Sequence, residues 1–127
     1  MGLSGLLDSN TIIDFIGDNL PEESNQFLSY GKFAASQISL IEVLGFPMEE
    51  VFEKRFRAFF DAILLIPIEM QVIEMAIQLR KSKKIKLGDS IVAATSLISD
   101  LPLVTRNVDD FKSISGIQVL NPFNLNS

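Results

Sequence analysis

Apolar residues change their spacing several times along this chain, and each change predicts an element. Leu6 and Leu7 run straight into Asp8-Ser9-Asn10, the pattern of a short buried strand that ends at Asp8. Thr11-Ile12-Ile13-Asp14-Phe15-Ile16 then opens a helix, with Ser9 or Asn10 as its N-cap. Residues 17–21 read as a turn and 22–30 as a second helix. Residues 32–38 read as a second strand, with Phe33, Ala34 and Ala35 as its apolar content. Ser39 is expected to cap a helix over 40–44, which Pro47 interrupts. Residues 48–63 have strong helical spacing: Val51, Phe52, Phe56, Phe59, Phe60 and Ile63 fall on one face. The end of that segment has a second reading, because Ile63-Leu64-Leu65-Ile66 before Pro67 also suits a short strand over 62–66.

Pro67 starts a further helix over 68–81, with Val72, Ile73, Ala76 and Leu79 on its apolar face. Leu87-Gly88-Asp89 leads into a helix over 90–98 that is apolar on almost every side, and is therefore expected to be central and buried. Residues 102–105 read as a strand ended by Arg106-Asn107. A helical turn over 109–114 and a final strand over 117–120 complete the chain. Alternating strands and helices predict an α/β fold, a sandwich around a mostly parallel central sheet. Ligands in such sheets sit at the carboxyl ends of strands. Asp8 and Asn107 both fall at predicted strand ends.

Length narrows the picture: 127 residues suit a single domain over 1–127 with one core. No apolar run approaches the roughly eighteen residues a membrane span needs, so no membrane association is expected. The first residues carry no basic region and an acid at Asp8, unlike a signal peptide. Leu6 stands where a myristoylation pattern wants Ser or Thr. The chain has no Cys and no His. Disulfides, structural zinc, thiol nucleophiles and imidazole bases are thereby excluded. Any hydrolytic chemistry must rest on carboxylates and a hard, oxygen-loving metal. The lack of Cys also fits a cytoplasmic location.

A formal net charge of −5 argues against nucleic-acid binding until its distribution is considered. Residues 1–31 carry Asp8, Asp14, Asp18, Glu22 and Glu23 and no base, whereas Arg80, Lys81, Lys83, Lys84 and Lys86 crowd into one short stretch. A local basic patch can hold a phosphate backbone on a protein that is acidic overall. Four acidic positions stand out from the surface acids because apolar residues surround them: Asp8, Glu42, Asp89 and the pair Asp109-Asp110. Buried carboxylates are costly, and several that converge repel one another unless a cation sits among them. Burial without matching bases therefore points to a metal. Mg²⁺ suits it, because that ion takes a few carboxylates and keeps waters for phosphate oxygens.

At this point the chain resembles the PIN-domain family, and within it the VapC-type toxins. Leu7-Asp8-Ser9-Asn10-Thr11 resembles the opening Asp-x-Asn motif, and Ser39-Leu40-Ile41-Glu42-Val43 the second acidic motif. Gly88-Asp89-Ser90-Ile91-Val92-Ala93-Ala94 resembles the third, and Leu103-Val104-Thr105-Arg106-Asn107-Val108-Asp109-Asp110-Phe111 the closing one. The tail Ile117-Gln118-Val119-Leu120-Asn121-Pro122-Phe123 is similar to VapC-type toxins as well. The motifs run in family order from residue 6 to residue 123.

The resemblance implies a PIN-like α/β/α sandwich and an Mg²⁺-dependent endoribonuclease, the toxin of a type II toxin–antitoxin pair, with Mn²⁺ as an alternative ion. It implies RNA as substrate, a cognate antitoxin as partner and a homodimer. Asp8, Glu42 and Asp89 match the metal positions; Asn107 and Asp110 match the rest of the catalytic set. A fourth acid of many PIN domains is Asn107 here, which leaves one metal or two open and favours one. Ser9 and Thr105 are candidates to orient water or a carboxylate. Arg106, Lys83, Lys84 and Lys86 are candidates for holding substrate.

Plainer readings stand beside these. Asp8 and Asp89 also suit helix caps, and a helix-terminal Asp can cap and ligate at once. Glu42 could face solvent, and Asp110 could cap its own short helix. The Phe stripe suits a core, or else a dimer or antitoxin surface. The basic run could be a solvated helix end. Two other functions also use acids at strand ends: a non-catalytic PIN-like binding module and an Mg²⁺-dependent phosphoryl-transfer protein. A receiver domain would need paired acids before the nucleophile strand and a late strand-end Lys, and neither is present.

Overall fold

The computed structural model describes residues 2–125. Its strands are β1 (Gly5–Leu7), β2 (Phe33–Ser36), β3 (Leu64–Ile66), β4 (Leu103–Val104) and β5 (Val119–Leu120). They form one five-stranded sheet in the order β3-β2-β1-β4-β5, with every neighbouring pair parallel. The helices are α1 (Ser9–Ile16), α2 (Glu22–Tyr30), α3 (Gln37–Leu44), α4 (Glu50–Ala62), α5 (Met70–Ser82), α6 (Leu87–Ser99) and the short α7 (Val108–Phe111).

Side chains alternate across a strand, and here that alternation divides the core in two. Leu6, Ala34 and Leu103 face one side, where they meet Val72, Ala76 and Leu79 of α5 and Val92, Ala93 and Ala94 of α6. Leu7, Ala35 and Val104 face the other, against Ile12 of α1, Leu28 of α2, Val43 of α3 and Phe56 and Phe60 of α4. The strands are apolar throughout because both faces are covered, as parallel sheets require. The result is the α/β/α sandwich expected from the element order. Helix α6 is buried through its middle, from Val92 to Ser96, whereas Leu87 and Ile98 near its ends are exposed. Among the described residues no helix is long and apolar enough to cross a membrane.

Several boundaries differ from expectation, each for a local reason. The second strand stops at Ser36, whose hydroxyl accepts from the Ile38 amide and caps α3 one turn earlier than expected. Ser39 therefore lies inside the helix, fully buried, its hydroxyl without a hydrogen-bond partner. Asp8, not Ser9 or Asn10, caps α1. The 48–63 segment splits into α4 and the strand β3, the second of its two readings. Only Phe56 and Phe60 of the Phe stripe are buried; Phe52 is 44% exposed. Helix α6 begins at Leu87, so Asp89 lies in its first turn.

The order of strands creates the place for a site. From β1 the chain leaves toward β2 on one side, and it later returns to β4 on the other. The carboxyl ends of β1 and β4 therefore border a crevice from which connections diverge, the usual ligand position in open parallel sheets. The Asp8 amide donates to the Val104 carbonyl at 3.3 Å, and the Thr11 hydroxyl donates to the same oxygen at 2.9 Å. These bonds hold the start of α1 against the end of β4. Leu7 is 1% exposed in this joint, whereas Met70 on α5 is 66% exposed. Leu7→Ala should cost roughly 2–5 kcal/mol in urea unfolding through lost burial and a cavity. Met70→Ala should stay within about 0.5 kcal/mol of the parent.

Candidate active site

Five elements deliver polar side chains to one cavity of about 380 Å³ at the carboxyl edge of the sheet. Asp8 follows β1, Glu42 comes from α3, Asp89 from α6, Asn107 from the β4–α7 turn and Asp110 from α7; all five residues line it. Ser9, Asn10, Lys86 and the apolar Ile13, Phe46 and Val92 complete the wall. The candidate acids thus meet, although residues 8 and 110 lie at opposite ends of the chain.

Each side chain has a local reason for its place. Asp8 is 6% exposed, and one carboxylate oxygen accepts from the Thr11 amide at 2.8 Å. It caps α1 and lines the cavity at once. The Ser9 hydroxyl donates to Glu42 at 2.6 Å, tying α1 to α3. The other Glu42 oxygen lies directly over Gly88, where any Cβ would collide with it. A side chain at this position would push that carboxylate from its present place at the start of α6. Thr105 is fully buried, and its hydroxyl accepts from the Asn107 amide at 3.1 Å. Asn107 stands at the N-cap of α7 without capping it through its side chain, so the amide group is left for the cavity. Asp109 is exposed and pairs with Lys112 at 2.8 Å, which holds its pKa below the ordinary range.

Like charge governs the electrostatics. Burial raises the pKa of Asp89, and Asp110, Glu42 and Asp8 raise it further, while Lys86 opposes them. The oxygen donors suit a hard divalent cation. The expectation that Asp8, Glu42 and Asp89 present their oxygens within one metal's reach is not met as they stand. Among the described residues no three acids form a group close enough to hold an ion. The physical reason is visible: an oxygen of Asp8 is engaged by the helix cap, an oxygen of Glu42 by Ser9, and uncompensated carboxylates repel.

The basic run borders this cavity but does not act as one group. Lys86 lines it directly, and Arg80, Lys83 and Lys84 line an adjoining cleft that shares Lys86, Asp89 and Asp110 with it. Lys83 is committed elsewhere: its ammonium donates to the Ser113 hydroxyl at 2.7 Å and the Asp110 carbonyl at 3.2 Å. It braces α7. Arg106 is likewise anchored, by Asp14 at 3.2 Å.

Sequence reasoning missed Thr11, Asp14 and Gly88. Asp14 had a signal, being an acid inside the apolar run Ile12-Ile13-Asp14-Phe15-Ile16. Gly88 and Thr11 lie inside the quoted motifs, but the packing of Gly88 on Glu42 and the bond from the Thr11 hydroxyl to Val104 join distant elements and leave no local signal.

This fold and this acidic crevice define a PIN-type α/β/α protein. The PIN-domain family model matches residues 5–117, and the chain belongs to the PIN-domain family. Among solved structures, a toxin–antitoxin complex from Klebsiella pneumoniae is 32% identical, with 94% of this chain and 98% of that chain covered and a TM-score of 0.78. DNA-bound VapBC from Salmonella typhimurium is 23% identical, with 95% and 99% covered and a TM-score of 0.77. VapBC-1 from nontypeable Haemophilus influenzae is 18% identical, with 92% and 96% covered and a TM-score of 0.77. The last two likenesses are of fold alone. No curated protein sequence gives a match.

A pH effect follows from Asp89. Its raised pKa means the folded state holds that proton more tightly than the unfolded chain does. The associated stability is full below the ordinary carboxylate pKa and is lost as pH rises through the folded value. Asp89→Asn should therefore leave metal-free protein as stable or more stable at pH 7, with the gain vanishing near pH ~3–4, below the ordinary Asp value. Urea titrations across pH in chelator measure it. Destabilisation at pH 7 would mean that the helix-dipole contribution of Asp89 outweighs the repulsion.

Proposed function

We propose that this chain is a metal-dependent endoribonuclease, the toxin of a type II toxin–antitoxin pair, working in the cytoplasm with Mg²⁺ or Mn²⁺. One observation carries the reading: carboxylates from separate elements of a PIN-family fold line one cavity with few bases to balance them. Asp8, Asp89 and Glu42 would hold the ion, and its binding would relieve their repulsion. When bound, such an ion acidifies a water and offsets charge on phosphate oxygens.

The chain's own residues do the rest. Ser9 and Gly88 seat the Glu42 carboxylate. Buried Thr105 orients the Asn107 backbone, and Lys83 steadies the helix that bears Asp110. Lys84 and Lys86 supply positive charge beside a cavity that would otherwise repel phosphates. An antitoxin is the proposed protein partner, supported by the toxin–antitoxin complexes of similar fold. Exposed Ile13 and Phe46 at the rim offer it apolar contact. A homodimer is part of the same proposal.

Cleavage of single-stranded RNA with and without Mg²⁺ tests the reading. Asp8→Asn should remove cleavage yet keep stability, since Asn caps a helix about as well as Asp. Gly88→Ala should gain up to about 1 kcal/mol of helix propensity and still lose cleavage, because the added methyl displaces Glu42. RNA binding without cleavage in the parent protein would favour a non-catalytic binding module instead.

The lysines make a separate prediction. Neutralising Lys84 and Lys86 together should weaken RNA binding and reduce its salt slope by about two, roughly one for each phosphate no longer neutralised. Single-turnover cleavage at saturating RNA should change little. An unchanged slope would make them a solvated helix end.

A further inference from the structure

Asp14 is buried, titratable and unused by the chemistry above. Its side chain is 9% exposed, on the first helix six residues after Asp8. Burial raises its pKa, Arg106 opposes that shift, and the Asp8 charge adds to it. Arg106 supplies its ion pair, guanidinium nitrogen to carboxylate oxygen at 3.2 Å, across 92 residues of chain. The Arg106 side chain remains 46% exposed. It lines a cleft with Asn107 and Asp110, the same two residues that line the acidic cavity next to it. Lys86 stands at the cavity itself, on the N-terminal side of α6.

We propose that Asp14 is a positioning residue that holds Arg106 as a phosphate clamp at the rim of the acidic cavity. The proposal rests on the nuclease reading and assigns the backbone of single-stranded RNA to Arg106. A guanidinium has five N–H donors in a rigid fork. One nitrogen is occupied by Asp14, and the donors that remain reach the exposed cleft with less freedom to lose. An arginine on a mobile turn would lose more on gripping a phosphate. The buried carboxylate also has reason to keep this partner, because an unpaired charge there is costly.

The proposal makes a prediction whose sign opposes simple electrostatics. Removing a negative charge beside a phosphate-binding cleft should by itself tighten RNA binding. If Asp14 positions Arg106, Asp14→Asn weakens it instead. The measurement is affinity for a single-stranded oligoribonucleotide across a salt series, in the Asp89→Asn background so that the strand is not cut. Asp14→Asn should weaken binding roughly three- to tenfold, within the lower part of the range of coupling between neighbouring residues. Arg106→Met should weaken it at least as much and lower the salt slope by about one. The double variant should be no weaker than Arg106→Met alone, because positioning has no value once the guanidinium is gone. Urea unfolding of each variant fixes the fraction folded under assay conditions.

Tighter or unchanged binding by folded Asp14→Asn, or additive losses in the double variant, would overturn the proposal and leave the pair a tie between α1 and the β4–α7 turn. Absence of RNA binding by the Asp89→Asn parent would overturn it too. The nuclease reading fails separately, when the unaltered protein binds RNA but does not cut it with Mg²⁺; the Asp14 comparison then still decides the clamp.

Discussion

Like-charged carboxylates do not gather without something to hold them, and the joint between β1 and β4 is what holds them here. Asp8 and Thr11 both donate to the Val104 carbonyl, fastening the first helix to a strand almost a hundred residues away. Asp8 follows one of these strands and Asn107 lies just beyond the other, so their pairing sets the width of the crevice. Its strength comes from burial on both faces. Leu6 and Leu103 point to one side, and Leu7 and Val104 to the other, all of them nearly inaccessible to water. The apolar core thus offsets a repulsion that the crevice carboxylates create among themselves.

The acids are held in ways that leave them available. Asp8 spends one oxygen on the helix cap, Glu42 spends one on Ser9, and Asp89 lies in a first helical turn where the dipole favours a negative charge. Each of these carboxylates has a structural role and still faces the crevice. The same economy appears in the bases. Lys83 serves the fold through α7, and Arg106 spends one guanidinium nitrogen on Asp14, while Lys84 and Lys86 remain at the cleft for a ligand. A basic run that reads as uniform is divided by its partners into struts and contacts.

The PIN-domain family model spans Asp8, Glu42 and Asp89, three of the acids that line the crevice. Asn107 lines the same crevice and adds no charge to it. Asn107 is held through its backbone by Thr105, which leaves its side chain amide for the cavity. Gly88 answers a different need. It is absent from any charge argument, yet the Glu42 carboxylate occupies the space its missing side chain leaves.

Much of this was determined by the sequence alone. Hydrophobic spacing marks every strand and helix to within a few residues, because burial on one face or on both imposes its own period. The lack of Cys and His rules out thiol and imidazole chemistry, and the acids set among apolar residues stand out as candidate oxygen donors. Only the tertiary structure decided which group meets which. Whether Ser36 or Ser39 caps α3 turns on where β2 stops, and that depends on its pairing with β1 and β3. Whether Lys83 or Arg106 is free depends on Ser113 and Asp14, partners 30 and 92 residues away. Local periodicity carries no information about such meetings, because they are set by how layers pack and not by the residues on either side.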